Sequence, residues 1–181
     1  MFYNVHGDTM KQVLLQLKCP HCFHVNLKVA ETIVNPNIES DLKRQILNDE
    51  FFTLRCRCNT PIHFLYPCVY VDKKQHLILF MKEAEVLHDD RCIQRLVHDA
   101  EQFKEMIRIA DAHLDDRAVF QIKRRLLSKN EKQLLYFLDC DGEYLWFTCE
   151  GQISGVAKAD YDKLAAKLAP PTHEVIDVDS L

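Results

Sequence analysis

Between residues 23 and 30 the chain alternates with period two: Phe23, Val25, Leu27 and Val29 are separated by His24, Asn26, Lys28 and Ala30. Such alternation predicts a strand with one buried face and puts His24 on the outward side. Residues 11–18 also have strand character, so the two segments form an expected hairpin whose turn is Cys19-Pro20-His21-Cys22. Asn35-Pro36-Asn37 breaks the strand, and Ile38, Leu42, Ile46 and Leu47 then fall at helical spacing up to Asn48-Asp49. Residues 51–55 read as a strand entering Cys56, and residues 61–66 resume extended structure beyond Cys58. Val69-Tyr70-Val71 and residues 77–80 flank the turn Asp72-Lys73-Lys74-Gln75, a hairpin by composition.

A charged stretch from Lys82 to Arg91 separates this β-rich half from the second half of the chain. Ile93, Leu96, Val97, Ala100, Phe103, Ile107 and Ala110 fit one face of a long helix. They fit equally a short strand over 92–97 followed by a helix that Asp99 caps, with Gln102 completing a capping box. The second arrangement is preferred. Leu114-Asp115-Asp116-Arg117 opens another helix through Val119, Ile122, Leu126 and Leu127, its acids suited to a positive N-terminus. Asp141-Gly142, between residues 134–138 and 144–148, is the strongest hairpin signal in the chain. A strand over 153–156 and a helix over 159–168 come next, Pro170-Pro171 ends the helix, and the tail with Glu174, Asp177 and Asp179 is expected to fray. The expected fold is α+β: an antiparallel sheet with a zinc-ribbon-like two-knuckle site over 10–83, a helical and β-hairpin half over 90–168 packed on it, and an acidic tail over 169–181. The two halves can equally form one continuous domain.

Composition narrows the class. With 181 residues and 48% hydrophobic content there is enough for a real core. No apolar run approaches a membrane span, and no basic patch followed by an apolar stretch opens the chain. The expected location is cytoplasmic, where eight cysteines argue for metal binding or buried thiols over disulfides. A net charge of −4 disfavours a dominant phosphate-neutralising surface.

The chemistry sits in two cysteine pairs, Cys19-Pro20-His21-Cys22 and Cys56-Arg57-Cys58. Four thiolates suit structural zinc, and residues 23–55 allow the chain to fold back and bring the pairs together. A closed four-thiolate site leaves no open position for a reacting water, so it is not catalytic. His21, His24 and His63 lie close enough in sequence to replace a thiol, although solvent-facing histidines are the simpler expectation. A Cys-x-x-Cys pair also serves thiol–disulfide exchange, but such pairs usually open a helix, and this one lies between strands.

The order of features resembles the CpXC family of bacterial proteins. The shared run is a Cys-Pro-x-Cys knuckle, an alternating strand, Asn35-Pro36, a short helix, an aromatic strand and a second knuckle, followed by residues 66–72 and 76–81. Phe103 to Ile109 and Leu114 to Arg117 extend the likeness, which covers roughly residues 10–165. The resemblance implies a zinc-ribbon-like module of uncharacterised activity. The family's second knuckle keeps two residues between its cysteines, whereas here Asn59 stands where the second thiol is expected, so the turn must take a different shape.

The other candidates have plainer readings. Cys68, Cys92, Cys140 and Cys149 lack metal spacing and read as small buried hydrophobes. Asp115 and Asp116 read as helix-capping acids before a catalytic pair, and Lys123-Arg124-Arg125 with Arg117 as a solvated face. Tyr136, Phe137, Tyr144, Trp146 and Phe147 read mainly as core, with any exposed set a partner surface. No catalytic constellation assembles. The leading expectation is a non-enzymatic, zinc-stabilised intracellular module that binds or regulates a protein partner, no membrane being involved. The rivals are a nucleic-acid-binding ribbon using Arg55 and Arg57, and an enzyme, either a thiol oxidoreductase or a hydrolase.

Overall fold

The computed structural model describes residues 4–5, 12–87, 89–127 and 134–181. In chain order the elements are β1 (Asn4–Val5), β2 (Gln12–Lys18), β3 (Val25–Glu31), β4 (Ile33–Val34), α1 (Ser40–Leu47), β5 (Thr53–Arg55) and β6 (Pro61–His63). Next come β7 (Val69–Asp72), β8 (Leu77–Met81), β9 (Ile93–Val97), α2 (Ala100–Asp111), α3 (Asp116–Leu127), β10 (Tyr136–Cys140), β11 (Tyr144–Cys149), β12 (Gln152–Ala157), α4 (Lys158–Ala165) and β13 (Val175–Asp177). A single 3-10 turn, Val178–Ser180, ends the series. The class is α+β, as expected.

Three sheets are antiparallel: β1-β2-β3, β5-β6 and β10-β11-β12. The central sheet, in the order β13-β9-β8-β7-β4, is mixed, because β4 runs parallel to β7 and β9 runs parallel to both β8 and β13. It joins strands from both sides of the charged stretch. Parallel pairing needs a long return of chain, here residues 82–92, and leaves no local signature like that of a turn.

The sheet is buried on both faces. Tyr70, Leu77, Leu79 and Met81 join the main core with Phe103, Met106 and Ile107 of α2, while Val69, Val71, Ile78 and Phe80 form a smaller cluster with Cys92. Strands covered on both sides read as continuous apolar runs, which is how residues 77–81 appear in the sequence. The strand-then-helix reading of residues 92–110 holds: Asp99 accepts from the Gln102 amide at 2.8 Å. The Gln102 side chain reaches one residue further back than a capping box requires, accepting from the His98 amide at 2.8 Å.

Two ion pairs carry charge into the interior. Arg95 on β9 meets Asp116 at the start of α3, with 0% and 4% of their side chains exposed. Lys123 on α3 meets Glu105 on α2 at 2.6 Å, and Glu105 also accepts from the Phe137 amide at 2.6 Å. Both acids accept from the Arg117 amide, Asp115 at 3.0 Å and Asp116 at 2.9 Å, and Asp116 is in addition a buried ion-pair partner. Lys123 turns inward, which removes it from the expected basic face. Arg117 is held by Asp115 and by the carbonyl of Ala169.

The tail does not fray. Gln94 donates to the His173 carbonyl at 2.6 Å, His98 meets Asp177 at 2.9 Å, Gln102 donates to Asp179 at 2.7 Å and Val178 is 1% exposed. Asp177 and Asp179 are thus partnered by His98, just after β9, and by Gln102 of α2. At the far hairpin the turn is held by Asp141, whose carboxylate accepts from the Glu143 and Tyr144 amides and from the Trp146 indole. Gly155 opposite leaves room for that indole, since a Cβ there would lie 2.8 Å from Trp146 Cζ3.

Removing one partner of a buried pair strands the other charge. Asp116→Ala is expected to lower the unfolding free energy by about 3–5 kcal/mol in urea titrations. Lys163→Ala, which breaks an exposed pair with Asp160, should leave the midpoint almost unmoved. Equal effects of the two changes would contradict this assignment.

Candidate metal centre

The two knuckles meet. Cys19 and Cys22 come from the β2–β3 turn and Cys56 and Cys58 from the β5–β6 turn, and their four sulfurs lie within 4.8 Å of one another. Across the turns, Cys19 Sγ is 3.6 Å from Cys58 Sγ, and Cys22 Sγ is 3.6 Å from Cys56 Sγ. All four are free thiols. Four sulfurs at about 2.3 Å from a tetrahedral ion stand about 3.8 Å apart, so the spacing fits a metal and is far beyond a disulfide.

The shortened turn is accommodated by closing one residue earlier. In the first knuckle the Phe23 amide donates to the Cys19 carbonyl at 3.0 Å and the Cys19 amide to the His24 carbonyl at 2.9 Å. In the second the Asn59 amide donates to the Cys56 carbonyl at 2.8 Å and the Cys56 amide to the Thr60 carbonyl at 3.0 Å. Each bond spans one residue fewer. Both turns end on a left-handed residue, Phe23 at φ 59° and Asn59 at φ 65°. Asparagine tolerates that conformation better than most side chains, so Asn59 does backbone work at the position where a thiol is expected.

Other groups complete the surroundings. Ile62 packs against Cys19 and Cys56, with Leu17 and Cys22 beside them. Asn26 reaches from β3 to the Leu17 carbonyl at 3.3 Å and to Cys56 Sγ at 3.6 Å. The Thr60 hydroxyl lies 3.3 Å from Cys58 Sγ. That hydroxyl and the Thr60 amide hold the exposed Cys58 thiol down to about 5. The amide of Cys58 and the Asn26 side chain lower Cys56 as well, against burial. Cys22 receives the His24 amide, but the neighbouring Cys58 sulfur, desolvation and the other thiols outweigh it and push Cys22 up to about 11. The surroundings thus favour the ionised form at Cys58 and oppose it at Cys22.

None of His21, His24 and His63 joins a metal-capable group among the described residues. His63 instead lies 3.1 Å from the Thr53 hydroxyl, and His24, expected to face outward, is half-buried. Cys68 and Cys92 are buried and Cys140 and Cys149 partly so, none with the four. Burial pushes the Cys68 thiol up to about 12. One group escaped the sequence reading: His98, Asp177 and Asp179 place ligand-type atoms within 4.8 Å of one another. They lie too far apart in the chain to form a motif, and their hydrogen bonds dock the tail.

The apolar face of β3 reverses the sequence expectation. Phe23, Val25, Leu27 and Val29 are 67%, 49%, 65% and 60% exposed. The inward face is the polar one: Asn26 serves the knuckles, and Lys28 donates to the Phe51 carbonyl at 3.3 Å with its ammonium 4.6 Å from the Phe64 ring centre. Alternation identifies two faces but does not say which one meets the core.

A match to the family described as CpXC protein spans residues 17–123, more than half of the chain, and takes in both knuckles. The chain belongs to the CpXC family. The matched stretch is shorter than the likeness read from the sequence and stops before the β10-β11-β12 sheet. No curated protein and no solved structure matches this CpXC chain.

In the first moments after chelation at neutral pH, before the hairpins open, Cys58 should react with iodoacetamide ahead of Cys22, as read by mass spectrometry of peptides. Thr60→Val, which removes the stabilising hydroxyl, should slow that reaction. Equal rates at the two thiols would refute the asymmetry.

Proposed function

We propose that this CpXC protein is a zinc-stabilised, non-enzymatic module that binds a protein partner through the outward face of its first hairpin. The observation that carries the reading is the exposed row Phe23, Val25, Leu27 and Val29. Exposed apolar rows of this kind mark interaction surfaces. In register, Val29, Leu27 and Val25 stand beside Leu14, Gln16 and Lys18 of β2, so the row has a partly polar border. β3 ends its sheet, with no strand beyond it among the described residues. The partner chemistry that fits is an extended segment with alternating apolar side chains, adding to the edge of β3 and covering its outward face.

Zinc is the metal this donor set favours, because four thiolates in a closed tetrahedron suit a borderline-soft ion without geometric demands of its own. Its role is structural. Binding of this kind contributes on the order of 10 kcal/mol, comparable to the whole stability of a domain, so the two hairpins depend on it. No helix among the described residues is long and apolar enough to cross a membrane. The expected cytoplasmic location belongs with this reading.

Protein purified without chelator is expected to carry about one zinc per chain. Cys19→Ser should release it and raise hydrogen exchange across residues 12–81. A metal-free wild type that melts cooperatively would overturn the zinc assignment. For the binding face, Leu27→Asp is compared with wild type in affinity capture from native extract, with circular dichroism and metal content showing the fold intact. The reading expects a protein retained by the wild type and lost by the variant. Identical retention would sink it, as would nuclease-sensitive, steeply salt-dependent retention, which favours nucleic acid. Sedimentation showing only self-association abolished by the variant would assign the face to a second copy.

A further inference from the structure

The outward face of the first hairpin carries charge at its two ends as well as an apolar middle. Between the ends run the exposed side chains of Phe23, Val25, Leu27 and Val29. Lys18 stands directly across from Val25, at the knuckle end, and its ammonium lies 5.2 Å from the Phe23 ring centre. Glu31 follows Val29 by one alternation and stands across from Gln12, at the opposite end of β3. Among the described residues neither Lys18 nor Glu31 has an ion-pair partner. Lys28, the other cation of β3, points inward to the Phe51 carbonyl and the Phe64 ring. Arg55 and Arg57 belong to the other hairpin, on either side of Cys56. What counts is the order of charges along the strip, not their sum: a cation, an apolar row, then an anion.

Such a strip complements itself in one orientation. Two hairpins stacked face to face about a two-fold axis run either parallel or antiparallel. In the parallel stack Lys18 lies at the Lys18 end of the second copy, and like charges meet. In the antiparallel stack Lys18 of each copy lies at the Glu31 end of the other, and the apolar rows cover one another between them. Opposite charges at both ends select the antiparallel stack. A second copy brings this pattern by symmetry. The row offers on the order of 500 Å² per copy, so the pair buries about 1,000 Å², the lower limit of a specific interface. A contact of that size is weak and exchanges readily.

We propose that the free protein forms a weak antiparallel homodimer through the outward face of its first hairpin, with Lys18 of each copy at Glu31 of the other. The pairing covers the row until the protein partner displaces it. This rests on the reading of the row as a binding face and adds the regulation of that face.

Sedimentation velocity of zinc-loaded full-length protein is the test, and the wild type should pass from monomer to dimer between about 5 and about 500 µM. Leu27→Asp, which sets a charge in the row, should stay monomeric. Lys18→Glu and Glu31→Lys should each weaken the dimer by about tenfold, because each brings like charges together at both ends. An equimolar mixture of the two should regain it, the two chains being opposite in charge at both ends. Within one chain these positions are about 20 Å apart along the hairpin, so recovery on mixing reports contact between chains. Circular dichroism and metal content show that each variant keeps its fold. A monomer at every concentration, association undiminished by Leu27→Asp or by the single reversals, or no recovery on mixing overturns the homodimer. A monomer that still captures a partner through Leu27 leaves the binding reading standing. A dimer whose capture is unchanged by Leu27→Asp sinks that reading and not the pairing.

Discussion

The end of the molecule that carries both knuckles depends on bringing four sulfurs to one point. The β1-β2-β3 and β5-β6 sheets share no backbone ladder. What joins them is the sulfur cluster, the reach of Asn26 to Cys56, the contact of Ile62 with Cys19, and Lys28 bridging to Phe51 and Phe64. Small two- and three-stranded sheets are marginal by themselves, so such a clip decides whether they hold their arrangement. The polar face of β3 turns inward to serve the clip, and its apolar face is left in water as a result.

The rest of the fold is organised by burial of a different kind. A mixed sheet covered on both faces takes the continuous apolar runs of β7 and β8, and two buried ion pairs set α2 and α3 against it. Arg95 with Asp116, and Lys123 with Glu105, do little for net stability compared with well-packed apolar groups of the same volume. Their geometry nevertheless ties β9, α2, α3 and β10 to one another. Burial raises the Glu105 pKa against the opposing pull of Lys123.

Much of this was legible along the chain. Turns announced themselves through Asp72 and Asp141, whose carboxylates accept from backbone amides two and three residues on, a local interaction with a local signature. The Asp99 cap was legible for the same reason, and so were the cysteine pairs, since two ligands on one turn must be near neighbours in sequence. The partners of charged residues were not legible. Asp116 reads as a helix-terminus acid, which it is, but neither its pairing with Arg95 nor that of Lys123 with Glu105 is visible along the chain, because the partners wait across the core. The tail reads as fraying because its anchors, His98 between β9 and α2 and Gln102 on α2, lie far back in the chain.

The sequence by itself determined most of the elements, their turns, the α+β class, the family and the four thiols, because each depends on neighbours within a few residues or on spacing; β13, which forms only against β9, was not among them. Only the tertiary structure decided which face of β3 is buried, that β8 and β9 run parallel, and where the acids of the tail and of α2 find partners. It also showed how the Cys56-Arg57-Cys58 turn closes one residue early and still aims both sulfurs at Cys19 and Cys22. The physical reason is common to all of these. Alternation, charge and spacing describe what a segment can offer, whereas burial and pairing depend on what another segment brings to it.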